Sequence, residues 1–144
     1  MGKIFLFLFL VICFKSQSNE KIEINADQFT YDKENTRIYA TGNVEIIDKE
    51  FKLFANKVFV NNESKVLSAR ENIKIFNADG SILKADKLVA DNTLDNALIE
   101  NNHLYIPTMN KEKKYYMRLA AKKVERRNND WERLEYGTFT ACEV

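Results

Sequence analysis

Short runs in which apolar and polar residues alternate recur along the chain. Ile22-Glu23-Ile24, Val44-Glu45-Ile46 and Ile73-Lys74-Ile75 each send their apolar side chains to one side. A period of two marks a half-buried β-strand. Clusters of Asn and Asp separate the runs: Asp32-Lys33-Glu34-Asn35, Asn61-Asn62-Glu63-Ser64 and Asp91-Asn92-Thr93. These residues suit turns because their side chains bond the local backbone and tolerate left-handed dihedrals. Asn77-Ala78-Asp79-Gly80 is a further turn, in which Gly80 is free to take φ > 0. The pattern predicts short antiparallel strands stacked in register, each unit covering the apolar edge of the next.

The runs belong to a repeat of about 30 residues. Ala26-Asp27-Gln28-Phe29-Thr30-Tyr31-Asp32 matches Ala55-Asn56-Lys57-Val58-Phe59-Val60-Asn61 and Ala85-Asp86-Lys87-Leu88-Val89-Ala90-Asp91. A degenerate fourth copy starts at Ala121 and runs through Val124 to Arg127; the leading alanines lie 29, 30 and 36 residues apart. A second half-unit follows the first three. Ile38-Tyr39-Ala40-Thr41-Gly42-Asn43-Val44-Glu45-Ile46 aligns with Leu67 to Ile75 and with Leu98 to Ile106. From leading Ala to the Val44, Ile73 or Leu104 of this half takes 18, 18 and 19 residues.

Residues 111–133 fit less cleanly. Their Lys, Arg, Glu and Ala favour helix by propensity, whereas the Ala121-x-x-Val124 match favours strand, the assignment adopted. Basic residues outnumber acidic ones nine to four there. That excess is either a solvated face or a contact for lipid phosphates.

The 144 residues suit one domain with a real core. Ten Phe and six Tyr, with only four Gly and one Pro, exclude a disordered or low-complexity chain. The formal charge of +1 argues against a nucleic-acid partner. At the N-terminus, a basic start at Lys3 precedes the apolar run Ile4 to Phe14, eleven residues long. That is too short to span a bilayer but right for a signal-peptide core, with Ser16 and Ser18 as small residues for cleavage after Ser18. The expected organisation is therefore a signal peptide at 1–18 and one domain at 19–144, an uncleaved membrane anchor being the other reading. Cys13 follows Val11-Ile12 rather than small residues, which disfavours a lipoprotein site, and Leu6 stands where myristoylation needs Ser or Thr. Cleavage would leave Cys142 alone. In an oxidising compartment a lone cysteine points to an intermolecular disulfide or to a partner cysteine elsewhere.

The unit Ala-Asp-x-Φ-x-Φ-Asp, a turn, then Ala-x-Gly-Asn-Val-x-Ile (Φ apolar), clearest from Ala26 to Ile46, resembles the OstA-type repeat shared by LptA, LptC and the N-terminal part of LptD. The resemblance covers nearly all of residues 22–142. It implies an all-β fold, an open β-jellyroll or β-taco of stacked antiparallel strands, in the periplasm and associated with the outer membrane. It implies lipopolysaccharide as the ligand, its acyl chains in an apolar groove and its sugars outside. Other Lpt-type β-jellyroll domains are implied as partners by strand-edge pairing. Thr138-Phe139-Thr140-Ala141-Cys142 resembles the LptD-like branch, where cysteines at this place form disulfides with an outer-membrane barrel that carries a lipoprotein plug. Val144 departs from that branch, which often has Pro there and a second Cys beyond. The chain is thus expected to be the front of an LptD-like protein without its barrel. A complete LptA/LptC-like bridge and a structural β-solenoid that binds no lipid are the alternatives.

The repeat columns supply the groove candidates: Phe29, Val58 and Leu88; Ile38, Leu67 and Leu98; Val44, Ile73 and Leu104; Ile46, Ile75 and Ile106. A closed dry core would have the same signature. No catalytic residue, cofactor or metal site is expected. His103 stands in the column of Asn43 and Asn72 as a surface or turn residue, and Asp27, Asp86 and Asp91 lack the spacing of a Ca²⁺ loop. No Gly-rich phosphate loop or Ser-His-Asp set is visible.

Overall fold

The computed structural model describes residues 22–143, apart from positions 33, 35, 111 and 112 and the side chains of 110, 142 and 143. The expected signal peptide, with Cys13, lies outside the described residues. Ten strands and no helix are found among them. These are β1 (Glu23–Asn25), β2 (Gln28–Asp32), β3 (Arg37–Ile47), β4 (Phe51–Asn61), β5 (Val66–Asn77), β6 (Ile82–Asp91), β7 (Ala97–Asn110), β8 (Lys113–Arg127), β9 (Trp131–Glu135) and β10 (Thr138–Glu143). All pair antiparallel in one sheet, in the order β1-β3-β4-β5-β6-β7-β8-β10, with β2 also on β3 and β9 also on β8. The turns fall at the Asn/Asp clusters, and residues 113–133, ambiguous by propensity, form β8 and the start of β9.

The long strands bend, and the bends line up. Pairing of β3 with β4 slips between Thr41 and Val44, and pairing of β5 with β6 slips between Arg70 and Ile73. The extra residues are Gly42-Asn43 and Glu71-Asn72, all four at positive φ. Such bulges bend a strand. On β7 a single residue, Asn101 (φ 54), takes the same place without a register slip. Gly42 is required at its position. A Cβ there would lie 2.9 Å from the Asp27 Cβ, and its φ of 77° strains any L side chain. The Asp27 carboxylate instead accepts a bond from Asn43 Nδ2 at 3.0 Å, and Asp86 accepts one from Asn101 Nδ2 at 2.7 Å, so the clasp repeats.

The crease divides the sheet into two leaves. Leaf A contains β1, β10 and the strand halves beside them; leaf B contains β2, β9 and the other halves. Phe51 and Val60 lie at opposite ends of β4, about 30 Å apart if the strand were straight. Both nevertheless line one hollow, together with Ile24, Ile46 and Leu67. The sheet is folded on itself like a V, with a single apolar cluster between its leaves.

The β6–β7 turn is organised by Asp91. Its carboxylate accepts bonds from Thr93 Oγ1 (3.0 Å), Asn96 Nδ2 (2.8 Å) and the Asp95 amide (3.0 Å). Burial works against its charge, but the bonds from Asn96, Thr93 and Asp95 outweigh it and hold the carboxyl below its ordinary range. A depressed pKa stabilises the fold above the unfolded-state value and ceases to do so as pH falls through the folded value. Asp91→Ala should therefore cost about 1–2 kcal/mol at neutral pH. In urea unfolding followed across pH, that difference should shrink towards zero below about pH 4. A difference independent of pH would mean that the ionised carboxylate is not what holds the turn.

Candidate functional site

Two inward rows cross the strands, and the register states their members. On leaf A the paired positions are Ile24, Ile46, Leu53, Ile75, Leu83, Leu104, Leu119 and Phe139. On leaf B they are Phe29, Ala40, Val58, Ala69, Leu88, Ile99, Val124 and Leu134. The middles are sealed: Ile46 and Leu53 are fully buried, and Leu88, Ile99 and Val124 are nearly so. The ends are open. Phe29 is 50% exposed at the β2 edge and Phe139 is 61% exposed at the β10 edge. An apolar interior that becomes wet at both sheet edges differs from a core capped on every side.

The hollow between β1 and the near ends of β3 to β5 holds about 190 Å³ and is mostly apolar. That is smaller than the 300–1,000 Å³ of a typical small-molecule site. A second, wider hollow of about 510 Å³ lies at the mouth of the V near β8. Phe51, Leu104 and Ile106 form its floor, and turn residues of both leaves, including Asp79 and Asp95, form its rim. Arg126 reaches into this mouth but is already held, with Glu132 at 2.6 Å and the Leu94 carbonyl at 3.4 Å. On the rim, the Ser81 hydroxyl and amide bond Asp79, and together with the more distant Arg126 they hold its carboxyl below the usual range.

Half of the expected residues occupy these rows. Phe29, Val58 and Leu88 fall together on leaf B, and Ile46 and Ile75 on leaf A. Ile38 and Leu67 share the next inward row of leaf B through Val60, and Val44 and Ile73 lie inward beside the crease.

The third unit requires correction. Because β7 lacks the extra bulge residue, the equivalent of Ile38 and Leu67 is Ala97, reached through Ala90. Leu98 instead pairs with Val89 and Glu125 on the outer face. A slip of one residue in a period of two moves a side chain across the sheet. Leu104 belongs in the row of Ile46 and Ile75, and Ile106 lies one step further out, opposite Met117. The true equivalent of Val44 and Ile73 is Asn102, 3% exposed, with its Oδ1 unbonded.

The same slip moves His103. Its expected column is taken by Asn101, while His103 sits mid-strand on the outer face, not in a turn, with Nδ1 3.1 Å from Arg118 Nη2. Sequence reasoning also missed the buried Leu53 of β4 and Leu83 of β6. The alternations Phe51-Lys52-Leu53 and Leu83-Lys84-Ala85 are the signals that mark them.

Of the nine basic residues in 111–133, Arg126, Arg127 and Arg133 are engaged by Glu132, Glu125 and Glu135. The backbone of Cys142 pairs with Tyr116 at the sheet edge, while its side chain lies outside the described residues. Among the described residues there is no cluster of three or more potential metal ligands.

The family model described as LptA/(LptD N-terminal domain) LPS transport protein matches residues 23–135. No curated protein sequence matches significantly. Among solved structures, the chain is similar to LptH of Pseudomonas aeruginosa, the LptA-homologous periplasmic component of the lipopolysaccharide transport device. That match has a TM-score of 0.57 at 12% identity and covers 87% of this chain and 84% of the other. At such identity the likeness establishes the shared open β-jellyroll and nothing finer.

Proposed function

The chain belongs to the lipopolysaccharide-transport family of LptA and the LptD N-terminal domain, and from that premise we propose that the space between its leaves carries the acyl chains of lipopolysaccharide. The observation that carries this reading is the pair of apolar rows that stay continuous across the sheet, one ending exposed at the β2 edge and the other at the β10 edge. Each methylene shielded from water is worth about 0.8 kcal/mol, so shielding several acyl chains dominates the energetics of moving such a lipid. No covalent step is needed.

The hollow of about 190 Å³ is too small for several acyl chains, so carrying them requires the leaves to spread about the crease at Gly42-Asn43, Glu71-Asn72 and Asn101. The sugars and phosphates stay outside the polar mouth.

The exposed row ends lie beside unpaired strand edges at β1, β2, β9 and β10. Such edges recruit strands from other chains, and a neighbouring β-jellyroll added there would extend both rows. Export by segment 1–18 would place the domain in the periplasm. A complete bridge and the front of an LptD-like protein share this geometry. In the LptD-like case, Cys142 on the edge strand β10 joins a barrel domain that holds the lipoprotein plug; mass spectrometry of the non-reduced protein from cells checks that disulfide.

Photo-crosslinking tests the interior. Probes at Ile38, Ile46 and Ile106 should yield adducts with lipopolysaccharide, and a probe at the outward Val89 should not. Folded protein that labels at none of the inward positions, or equally at Val89, would overturn the groove and favour a closed structural core.

A further inference from the structure

The outer faces of the two leaves differ in a way the interior does not explain. On leaf B three outward cations have acids in ion-pair contact: Lys57 with Glu71 at 2.7 Å, Lys87 with Glu100 at 3.2 Å, and Arg127 with Glu125 at 2.7 Å. Arg70, opposite Lys57 and Lys87, and Lys123 form no ion pair among the described residues. On leaf A fewer are matched. Lys52, Lys74, Lys84 and Arg118 face outward there, and only Lys52 has an acidic partner among the described residues, Glu45 at 2.9 Å. The nearby Asp86 accepts a bond from Asn101 Nδ2 at 2.7 Å and forms no ion pair among the described residues. Lys74 and Lys84 stand directly opposite each other across β5 and β6. Like charges at that separation destabilise a sheet, and no ion pair to either lysine is found among the described residues.

Each cation lies over an aromatic ring of the same face. Lys52 is 5.7 Å from the Phe54 ring, Lys74 4.9 Å from Phe76, and Lys84 and Arg118 5.6 and 6.0 Å from Tyr105. Between them, Lys74, Lys84, Asn72 and His103, with the Asp86 carboxylate beside Asn101, border a shallow depression of about 360 Å³. From β4 to β8 the cations spread over about 19 Å at ordinary strand spacing. That is too wide for one phosphate and suits a plane bearing many.

We propose that the outer face of leaf A docks on an anionic phospholipid bilayer. The cations meet headgroup phosphates, as basic residues near anionic membranes do. Phe54, Phe76 and Tyr105 settle at headgroup depth, where aromatic side chains concentrate. The depression between Lys74 and Lys84 receives one headgroup, and its phosphate relieves their repulsion. The mouth of the V then opens beside the bilayer from which, or to which, a lipid passes. The proposal does not depend on what the interior carries.

Vesicle flotation of the full chain tests it, with phosphatidylcholine vesicles with and without phosphatidylglycerol and no lipopolysaccharide in either. Binding to the neutral vesicles reports any contribution of the apolar N-terminal segment. K74Q/K84Q should weaken partition onto the anionic vesicles about 30-fold. It should melt no lower than wild type, since a repulsion is removed, and K57Q/K87Q on leaf B should bind like wild type. Raising the salt should release wild type, and K74Q/K84Q should show a shallower salt dependence, since Lys52 and Arg118 still meet phosphates. The proposal fails if K74Q/K84Q binds as wild type does, or if both variants lose binding equally. It also fails if millimolar inorganic phosphate displaces the vesicles where chloride at equal ionic strength does not, because the face would then be a single-phosphate pocket.

Discussion

Leu53→Asp abolishes folding. Leu53 is the fully buried residue at the centre of the leaf A row, between Ile46 and Ile75. Leu53→Ala would remove its methyls and leave a cavity, a change that costs about 2–5 kcal/mol at such sites. Aspartate adds a carboxylate with no donor or cation in reach, because its cross-strand neighbours on both sides are isoleucines. An unpaired buried charge costs several kcal/mol more. Domains of this size are stable by only about 5–15 kcal/mol, so the sum consumes most or all of that margin. Circular dichroism and urea titration of Leu53→Asp should show no cooperative transition, while Leu53→Ala keeps a lowered one. Phe29→Asp, at the exposed end of the other row, should unfold close to wild type. If Leu53→Asp melts within a few degrees of wild type, the leaves do not close over the row as described.

Asn102→Val raises stability. Val44 and Ile73 hold the equivalent inward place in the two preceding units, and Asn102 pairs with Ala121 across the ladder. Its carboxamide is buried with an unbonded acceptor. An unsatisfied buried polar group costs about 1–3 kcal/mol, and valine adds strand preference and apolar area. The positive φ at this bend belongs to Asn101, so the substitution meets no backbone strain. The midpoint of thermal unfolding should rise by several degrees. A fall would mean that Asn102 holds an ordered water between the leaves, since buried water satisfies such groups and is costly to remove.

Much of this architecture is legible without coordinates, and the reason is local. The clusters at Asn61, Asn77 and Asp91 close turns through their own side chains, so hairpin positions follow from residue type. The alternation around Ile46 and Ile75 likewise distinguishes inside from outside on one strand. What sequence cannot supply is register between strands. Residues 98–106 look like Ile38 to Ile46 letter by letter, and a surplus of one residue in the spacing is the only sign of trouble. The clasp resolves it: Asp86 needs the partner that Asp27 finds in Asn43, and that partner is Asn101, not Asn102 or His103. With the bend placed there, Leu98 turns outward. Leu104 and Ile106, displaced by an even step, remain inside. The outward cations have the same limitation, since Lys74 opposite Lys84 is invisible until β5 and β6 are paired.

Close backbone approach among the described residues runs only between hydrogen-bonded strands, and between the leaves it is side chains that meet. No strand closes the array by meeting a distant one, so its length is not dictated by geometry as it is in a barrel. Duplication or loss of one hairpin would lengthen or shorten both rows by about 10 Å and leave the remaining pairings intact. The drift already visible here, with a bulge residue missing from the third unit and a degenerate fourth, is what such modular ancestry leaves behind. Size is then a heritable variable, free to follow the distance a lipid must be carried.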